Sequence, residues 1–216
     1  MVKVINGLIK SLAIFIIVVM LFSPSASAWH VVTHENIAEK IYYSMPPNVQ
    51  HNLNLSEMRR GAAAPDLIFK DSKDGGHKYP KSYQKAENWL KKGKTAYQKS
   101  DYNYASYCFG VASHYISDSY VVTHCANISK LNHKDYERRS KGMKPSTVWY
   151  MGNQFKDINP SVAGYNENLK SELAEAYKTG ETRWNMWIEK RNMALVQLNL
   201  DKATGIAYGA IRECVY

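Results

Sequence analysis

The chain has 216 residues, with 28 basic against 19 acidic side chains and a formal net charge of +9. Three cysteines allow at most one intramolecular disulfide, which excludes a disulfide-stapled scaffold. A moderately basic balance suits anionic partners such as phospholipid surfaces or nucleic acid.

The chain opens with Lys3 and Lys10 around an apolar run, Leu12 to Phe22, of eleven residues. A membrane span needs ~20, so the run fits a signal peptide better than an anchor. It ends in Ser23-Pro24-Ser25-Ala26-Ser27-Ala28, whose small-x-small pattern is what signal peptidase reads. Cleavage after Ala28 leaves a secreted protein that starts at Trp29 and forms one domain, residues 29–216. No later apolar run is long enough to span a membrane.

The remaining chain reads as helical, since no stretch sustains the alternation of β-branched residues that a strand needs. Thr33 to Met45 predicts a first helix, with Thr33 as N-cap and Pro46-Pro47 as the stop. A second helix is expected from about Asn48 to Arg60. A loop follows with Gly61, Pro65, Asp66 and the Gly75-Gly76 pair, in which Gly61-Ala62-Ala63-Ala64-Pro65-Asp66 reads as a tight small-residue turn. Ser82 to Lys99 is a polar-faced helix. Tyr102 to Thr123 is the most apolar stretch after residue 28 and reads as a central helix, because Tyr104, Tyr107, Val111, Tyr115, Asp118 and Val122 recur at steps of three and four. Lys130 to Ser146 is a basic, polar connection. Helices over Ser161–Lys178 and Glu181–Leu200 flank Gly180, and a short last helix covers Leu200–Arg212. No repeat, low-complexity tract or linker divides the chain.

Cys108 and Cys125 fall on the central helix, ~25 Å apart at 1.5 Å per residue, so any bridge would involve Cys214. Buried free thiols are the alternative. Asn54 and Asn127 head Asn-x-Ser sequons.

Seven histidines occur, and their neighbours carry the chemical signal. His114 and Asp118 are four residues apart, so on a helix their side chains meet at one point. His124 lies ten residues beyond His114, about 80° round the same helix. His133 and Glu137 repeat the four-residue spacing on the next segment. A lone pair of this kind is more often a capped or salt-bridged pair, but two such pairs with a histidine between them point to a metal. Imidazole with carboxylate is a ligand set that suits zinc. A free amine at Trp29, with its own carbonyl oxygen, would chelate a metal near neutral pH, five residues before His34. Asp66 and His77 complete the candidates. Neither a Gly-x-Ser-x-Gly elbow nor a Gly-rich phosphate loop is present.

Trp29, Thr33-His34, Ala64-Pro65-Asp66, His77, His114-Tyr115-x2-Asp118-x5-His124 and His133-x3-Glu137 resemble the zinc-dependent phospholipase C family and its relatives, the fungal single-strand nucleases. The resemblance runs in family order from Trp29 to Glu137. It implies an all-α, single-domain helical bundle with a trinuclear zinc cluster in a cleft. Asp66, His77, His114 and Asp118 would hold the first ion, and His124, His133 and Glu137 the second. The nitrogen and carbonyl oxygen of Trp29, with His34, would hold the third, and Asp118 would bridge the first and third. His30 and His51 have no counterpart in the pattern.

The resemblance further implies a phosphoric diester hydrolase. A zinc-activated water would be the nucleophile, and Asp66 would orient or deprotonate it. The leading substrate is a phospholipid, cut on the glycerol side of the phosphate, with contact to a membrane surface. Single-stranded nucleic acid is the alternative, for which the tyrosines in Tyr79–Tyr107 and the basic stretch Lys130–Lys144 would supply stacking and charge. Core packing and a solvated face account for the same residues equally well. A non-catalytic zinc-stabilised module would need four closed ligands per ion rather than a shared cluster. The Trp29–His34 spacing resembles the nuclease branch, whereas Glu137 and the short step from His124 to His133 resemble the phospholipase branch. The interval from Asp66 to His77 is shorter than in either.

Overall fold

The computed structural model describes residues 29–125, 130–146 and 165–216. The predicted signal peptide, the Asn127 sequon and positions 161–164 lie outside them. Among the described residues all regular structure is helical, as the sequence implied. The α-helices are α1 (Val31–Ser44), α2 (Pro47–Asn52), α3 (Leu55–Ala64), α4 (Lys81–Gln98), α5 (Tyr102–Asp118), α6 (Val122–Cys125), α7 (Lys130–Ser140), α8 (Tyr165–Lys178), α9 (Gly180–Lys190) and α10 (Met193–Val215). A π-helical turn, Pro65–Phe69, and a 3-10 turn, Asp71–Asp74, join α3 to α4. Among the described residues no helix is long and apolar enough to cross a membrane.

The fold is built round α5, whose residues from Cys108 to Asp118 are all buried. Helices α3 and α4 pack along it, with α1 and α10 completing the bundle and α8 and α9 lying near α6. Ile37, Ala38 and Ile41 of α1 recur at helical spacing and are fully buried, as are Leu200, Ala203, Ala207 and Ile211 of α10. Each fully buried leucine or isoleucine among them contributes roughly 1.5–3 kcal/mol of transfer free energy.

Several boundaries differ from the sequence reading, each for a local reason. The cap of α1 is His30, whose ring accepts from the Val32 N–H at 3.5 Å. Thr33 is buried instead, and its hydroxyl donates to the Ser140 carbonyl and accepts from the Gly142 N–H, which ties α1 to the end of α7. The expected helix over Asn48–Arg60 is two helices, because Asn54 caps α3 by accepting from the Glu57 N–H at 3.2 Å. Asn54 also donates to Asn103, so the side chain of that sequon is committed to the fold.

The small-residue stretch Gly61–Ala64 is the last part of α3 rather than a turn. A Cβ on Gly61 would collide with the Tyr107 carbonyl, and one on Gly110 with the Met58 carbonyl. Smallness here serves close approach of α3 and α5. The turn comes one residue later, where Pro65 begins the π-helical segment and the Lys70 N–H bonds back to the Pro65 carbonyl at 2.8 Å.

The basic connection after residue 130 contains a helix, α7, in which Arg138 and Arg139 pair with Asp135. The break expected at Gly180 falls at Thr179, and Gly180 is the first residue of α9. The chain breaks at Arg191, in the left-handed region, and Asn192 recaps α10 through the Ala194 N–H. The two expected C-terminal helices therefore divide at 191, and the predicted last helix, Leu200–Arg212, is the interior of α10. Cys108 and Cys125 sit on different helices, and all three cysteines are free thiols.

The departure that matters most is the end of α5. Its helix stops at Asp118, where i→i+3 bonds from Ser119, Tyr120 and Val121 tighten the backbone. The β-branched run Val121-Val122-Thr123 follows, with low helix propensity. The freed carbonyls have other partners: Arg183 donates to Tyr120 at 2.9 Å, and the His124 ring meets Asp118 at 3.2 Å. His124 thus belongs to α6 and turns back towards Asp118 instead of continuing along a straight helix.

Replacing Gly110 by valine is expected to destabilise the fold by at least about 1–3 kcal/mol, because a side chain there meets backbone rather than a movable neighbour. Denaturant midpoints of the two proteins measure this, and equal midpoints would contradict the packing described.

Candidate metal centre

Asp118, the last residue of α5, has no solvent exposure, and four imidazoles surround it. Its Oδ1 lies 3.3 Å from His34 Nε2 and 3.9 Å from His124 Nδ1. Its Oδ2 lies 3.1 Å from His114 Nε2 and is hydrogen-bonded to His77 Nδ1. The rings come from α1, the loop before α4, α5 and α6. Burial works against the charged carboxylate, but His114, His124, His34 and His77 hold Asp118 well below the usual carboxylate range.

The hydrogen bonds fix which ring nitrogens carry protons. His114 Nδ1 donates to the Ala62 carbonyl at 2.7 Å, so its Nε2 presents a lone pair to the cluster. The Ser117 hydroxyl donates to the His114 carbonyl at 2.9 Å and therefore accepts from His34 Nδ1 at 3.1 Å. His34 Nε2 is left with a lone pair that faces Asp118 Oδ1. Neither atom has a hydrogen-bond partner among the described residues, and both are buried. Burial, followed by the neighbouring His114, pushes the His34 pKa down, which keeps its ring neutral. Burial likewise pushes His124 down to about 4. Two lone pairs aimed at each other without a proton repel, and a cation between them removes that repulsion. The donor set fits a divalent metal.

Two groups have all their ligand atoms within 4.8 Å of one another: His34, His114 and Asp118, and Asp66, His77 and His114. Asp66 stands on the π-helical turn, nearly buried, its Oδ1 at 3.9 Å from His114 Nε2. Leu67 and Ile68 after it are largely exposed, so Asp66 lies where the cluster approaches the surface. The two Asp118 oxygens divide between the groups, Oδ1 towards His34 and Oδ2 towards His77 and His114.

The other expected residues lie close by. His133 Nε2 is 3.0 Å from Glu137 Oε1 on α7, and the His133 ring is 6.4 Å from the His124 ring. Trp29 is fully buried, its ring edge-on to His34 at 6.1 Å. His30 caps α1, and His51 lies in the last turn of α2.

One residue of the site carries no sequence signal. Asp71, in the loop between Asp66 and His77, accepts from His77 Nε2 at 2.8 Å and from the Tyr115 hydroxyl at 2.7 Å, and pairs with Lys85. Burial opposes its charge, yet the bonds from His77, Lys85 and Tyr115 hold its carboxyl well below the usual range. Burial also opposes charge on His77, but Asp118, Asp71 and Asp66 outweigh it and raise its pKa to about 10. An acidic residue six positions before a histidine follows no helical or strand spacing, so only the folded loop shows it.

An all-α domain holding overlapping histidine–carboxylate groups defines a metal-dependent protein of the helical class. The sequence model for zinc-dependent phospholipase C matches residues 33–188, and the chain belongs to that family. A search of curated proteins found no match. Membership brings zinc dependence and, in coarse terms, phospholipase C-type hydrolysis.

Substituting Asp118 by asparagine removes the carboxylate whose two oxygens face residues of both groups. The variant is expected to retain at least one zinc ion fewer per chain than wild type, read by elemental analysis after dialysis. Full zinc retention would contradict the shared role of Asp118.

Proposed function

We propose that the protein is a secreted phosphodiester hydrolase that cleaves phospholipids on the glycerol side of the phosphate with three zinc ions. The observation that carries this reading is the pair of groups overlapping at His114, in one of which the buried His34 Nε2 and Asp118 Oδ1 face each other at 3.3 Å without a hydrogen-bond partner among the described residues. Asp66, His77, His114 and Asp118 would hold one ion, and His124, His133 and Glu137 a second. The Trp29 amine and carbonyl, with His34, would hold the third once residues 1–28 are removed. Zinc bound there lowers the pKa of a coordinated water to about 7 and neutralises phosphoryl oxygens.

The chain's own residues do the rest. Asp66, nearly buried at the lip of the cluster, accepts the proton of the attacking water. The Ala62 carbonyl and Ser117 hydroxyl keep the His114 and His34 rings in the tautomers described. Asp118, shielded from solvent, holds the two groups in register.

The phospholipid reading is favoured over the nuclease reading by where the aromatics go. Tyr79, Tyr83, Trp89, Tyr97 and Tyr107 pack against the core. Trp89 stacks on Phe69 at 5.7 Å and meets Tyr107 edge-on, so these rings are engaged with one another rather than spread as a stacking platform. Arg138 and Arg139 of the basic stretch are paired with Asp135. Assays on phosphatidylcholine, phosphatidylinositol and single-stranded DNA test the choice. Release of a phosphorylated head group is expected, and faster turnover of DNA than of either lipid would overturn the lipid reading.

Asp66→Asn is expected to lower kcat by about 10²–10⁴-fold while most of the zinc is kept, since His77, His114 and Asp118 remain. Wild-type kcat in that variant would remove Asp66 from the mechanism.

The N-terminal ligand has its own test. An amide nitrogen does not bind zinc at neutral pH, whereas a free amine does. Protein with one extra residue before Trp29 is therefore expected to bind one zinc fewer than protein starting at Trp29, and to be much less active. Equal zinc content in the two would leave Trp29 as a buried aromatic only.

A further inference from the structure

The loop from Asp66 to His77 spans little chain, yet it delivers His77 to Asp118 in the middle of the cluster. Asp71 sits inside that loop and reaches three partners at once. Its Oδ1 accepts from His77 Nε2 at 2.8 Å, and its Oδ2 accepts from the Tyr115 hydroxyl at 2.7 Å and pairs with Lys85. Tyr115 belongs to α5 next to His114, and Lys85 to α4, with its ammonium 5.2 Å from the Tyr115 ring centroid. The loop backbone closes on the same point, since the Gly76 N–H donates to the Asp71 carbonyl at 3.3 Å. A Cβ on Gly76 would strike the Lys85 ammonium and crowd Asp71, so a side chain before His77 would push Lys85 away from the carboxylate.

We infer that Asp71, anchored by Tyr115 and Lys85, is a positioning residue that sets the tautomer and angle of His77 as a zinc ligand. The inference rests on the proposed metal centre and adds a residue that acts on it from outside the ligand set. A carboxylate that accepts the Nε2–H of His77 leaves Nδ1 as the ring's ligand atom, which lies 3.3 Å from His114 Nε2 and against Asp118 Oδ2, in the group His77 forms with Asp66 and His114. The short loop alone does not determine that angle. Tyr115 and Lys85 fix the carboxylate from two helices, and the carboxylate fixes the ring.

The test is zinc affinity of the purified protein, by competition with a chromophoric chelator, together with the visible spectrum of the cobalt-substituted protein. Asp71→Ala is expected to weaken one zinc site by 10–100-fold and to shift the cobalt bands, leaving the other sites at wild-type affinity. Asp71→Asn, which keeps an oxygen for the Nε2–H, is expected to recover part of that loss. Tyr115→Phe removes a single hydrogen bond to Asp71 and is expected to weaken the same site by a smaller factor, which covers the case of an Asp71→Ala chain that does not fold. His77→Ala separates the two levels of the argument. If His77→Ala keeps every zinc at wild-type affinity, the ligand assignment of His77 itself fails. If His77→Ala loses a zinc while Asp71→Ala and Tyr115→Phe keep wild-type affinity and unshifted cobalt bands, the metal centre stands and the role of Asp71 is overturned. A drop in melting temperature of the zinc-free Asp71→Ala protein, with zinc affinity unchanged, would reduce Asp71 to a loop tether.

Discussion

A carboxylate with no access to water is costly to bury unless its charge is met, and Asp118 is such a group at the centre of this fold. His77 meets one of its oxygens through a hydrogen bond, and the rings of His34, His114 and His124 crowd round the rest, so the positions of α1, the loop before α4, α5 and α6 are all tied to one residue. Even the backbone carbonyl of Asp118 is used, since the His124 ring meets it at 3.2 Å. The early end of α5 follows from the same requirement. A continuous helix would carry His124 away along its axis, whereas the tightened turn after Asp118 brings it back.

The approach of α3 to α5 belongs to the same arrangement. His114 has its ring proton on Nδ1 because the Ala62 carbonyl of α3 is 2.7 Å away. That distance depends on Gly61 and Gly110, which let the two backbones come together where any side chain would collide. Backbone contact in the core therefore decides the protonation pattern of a ring in the metal centre. Ser117 plays the corresponding part for His34, using its single proton on the His114 carbonyl so that it accepts from the second ring.

How much of this is legible in the sequence depends on the range of the interaction. His114 and Asp118 are four residues apart on one helix, and helical geometry alone brings them together. The pair His133 and Glu137 is legible for the same reason. The all-helical class follows from the absence of sustained strand alternation, and the helices Val31–Ser44 and Lys81–Gln98 end within two residues of expectation. His34, Asp66 and His77 were placed by resemblance, because nothing local links them to Asp118. The break at Asp118 was missed because hydrophobic periodicity runs through it, while its cause lies in distant partners such as Arg183. Gly61–Ala64 read as a turn because small residues serve turns and close helix packing alike. Asp71 had no periodic or motif signal at all, since its role comes from a loop folded against two helices.

The centre is also graded in depth, and the gradient bears on how it works. His34, His114 and Asp118 are wholly enclosed, Asp66 is at the lip, and His133 with Glu137 retain side-chain exposures of 21% and 19%. In the enclosed part, opposing lone pairs sit in a poorly screened medium, where their repulsion, and the gain from a cation between them, is several-fold larger than in water. At the outer pair His133 Nε2 and Glu137 Oε1 are likewise buried and without a hydrogen-bond partner among the described residues, although more of each side chain meets solvent. A cation is therefore favoured both at the bottom, around the carboxylate that the helices already enclose, and at the outer pair. The outer pair and Asp66 are the members of the centre that retain exposure to solvent. Such an order separates binding from reaction. The groups round Asp118 are closed to water, and the group proposed to move a proton keeps a little access to it.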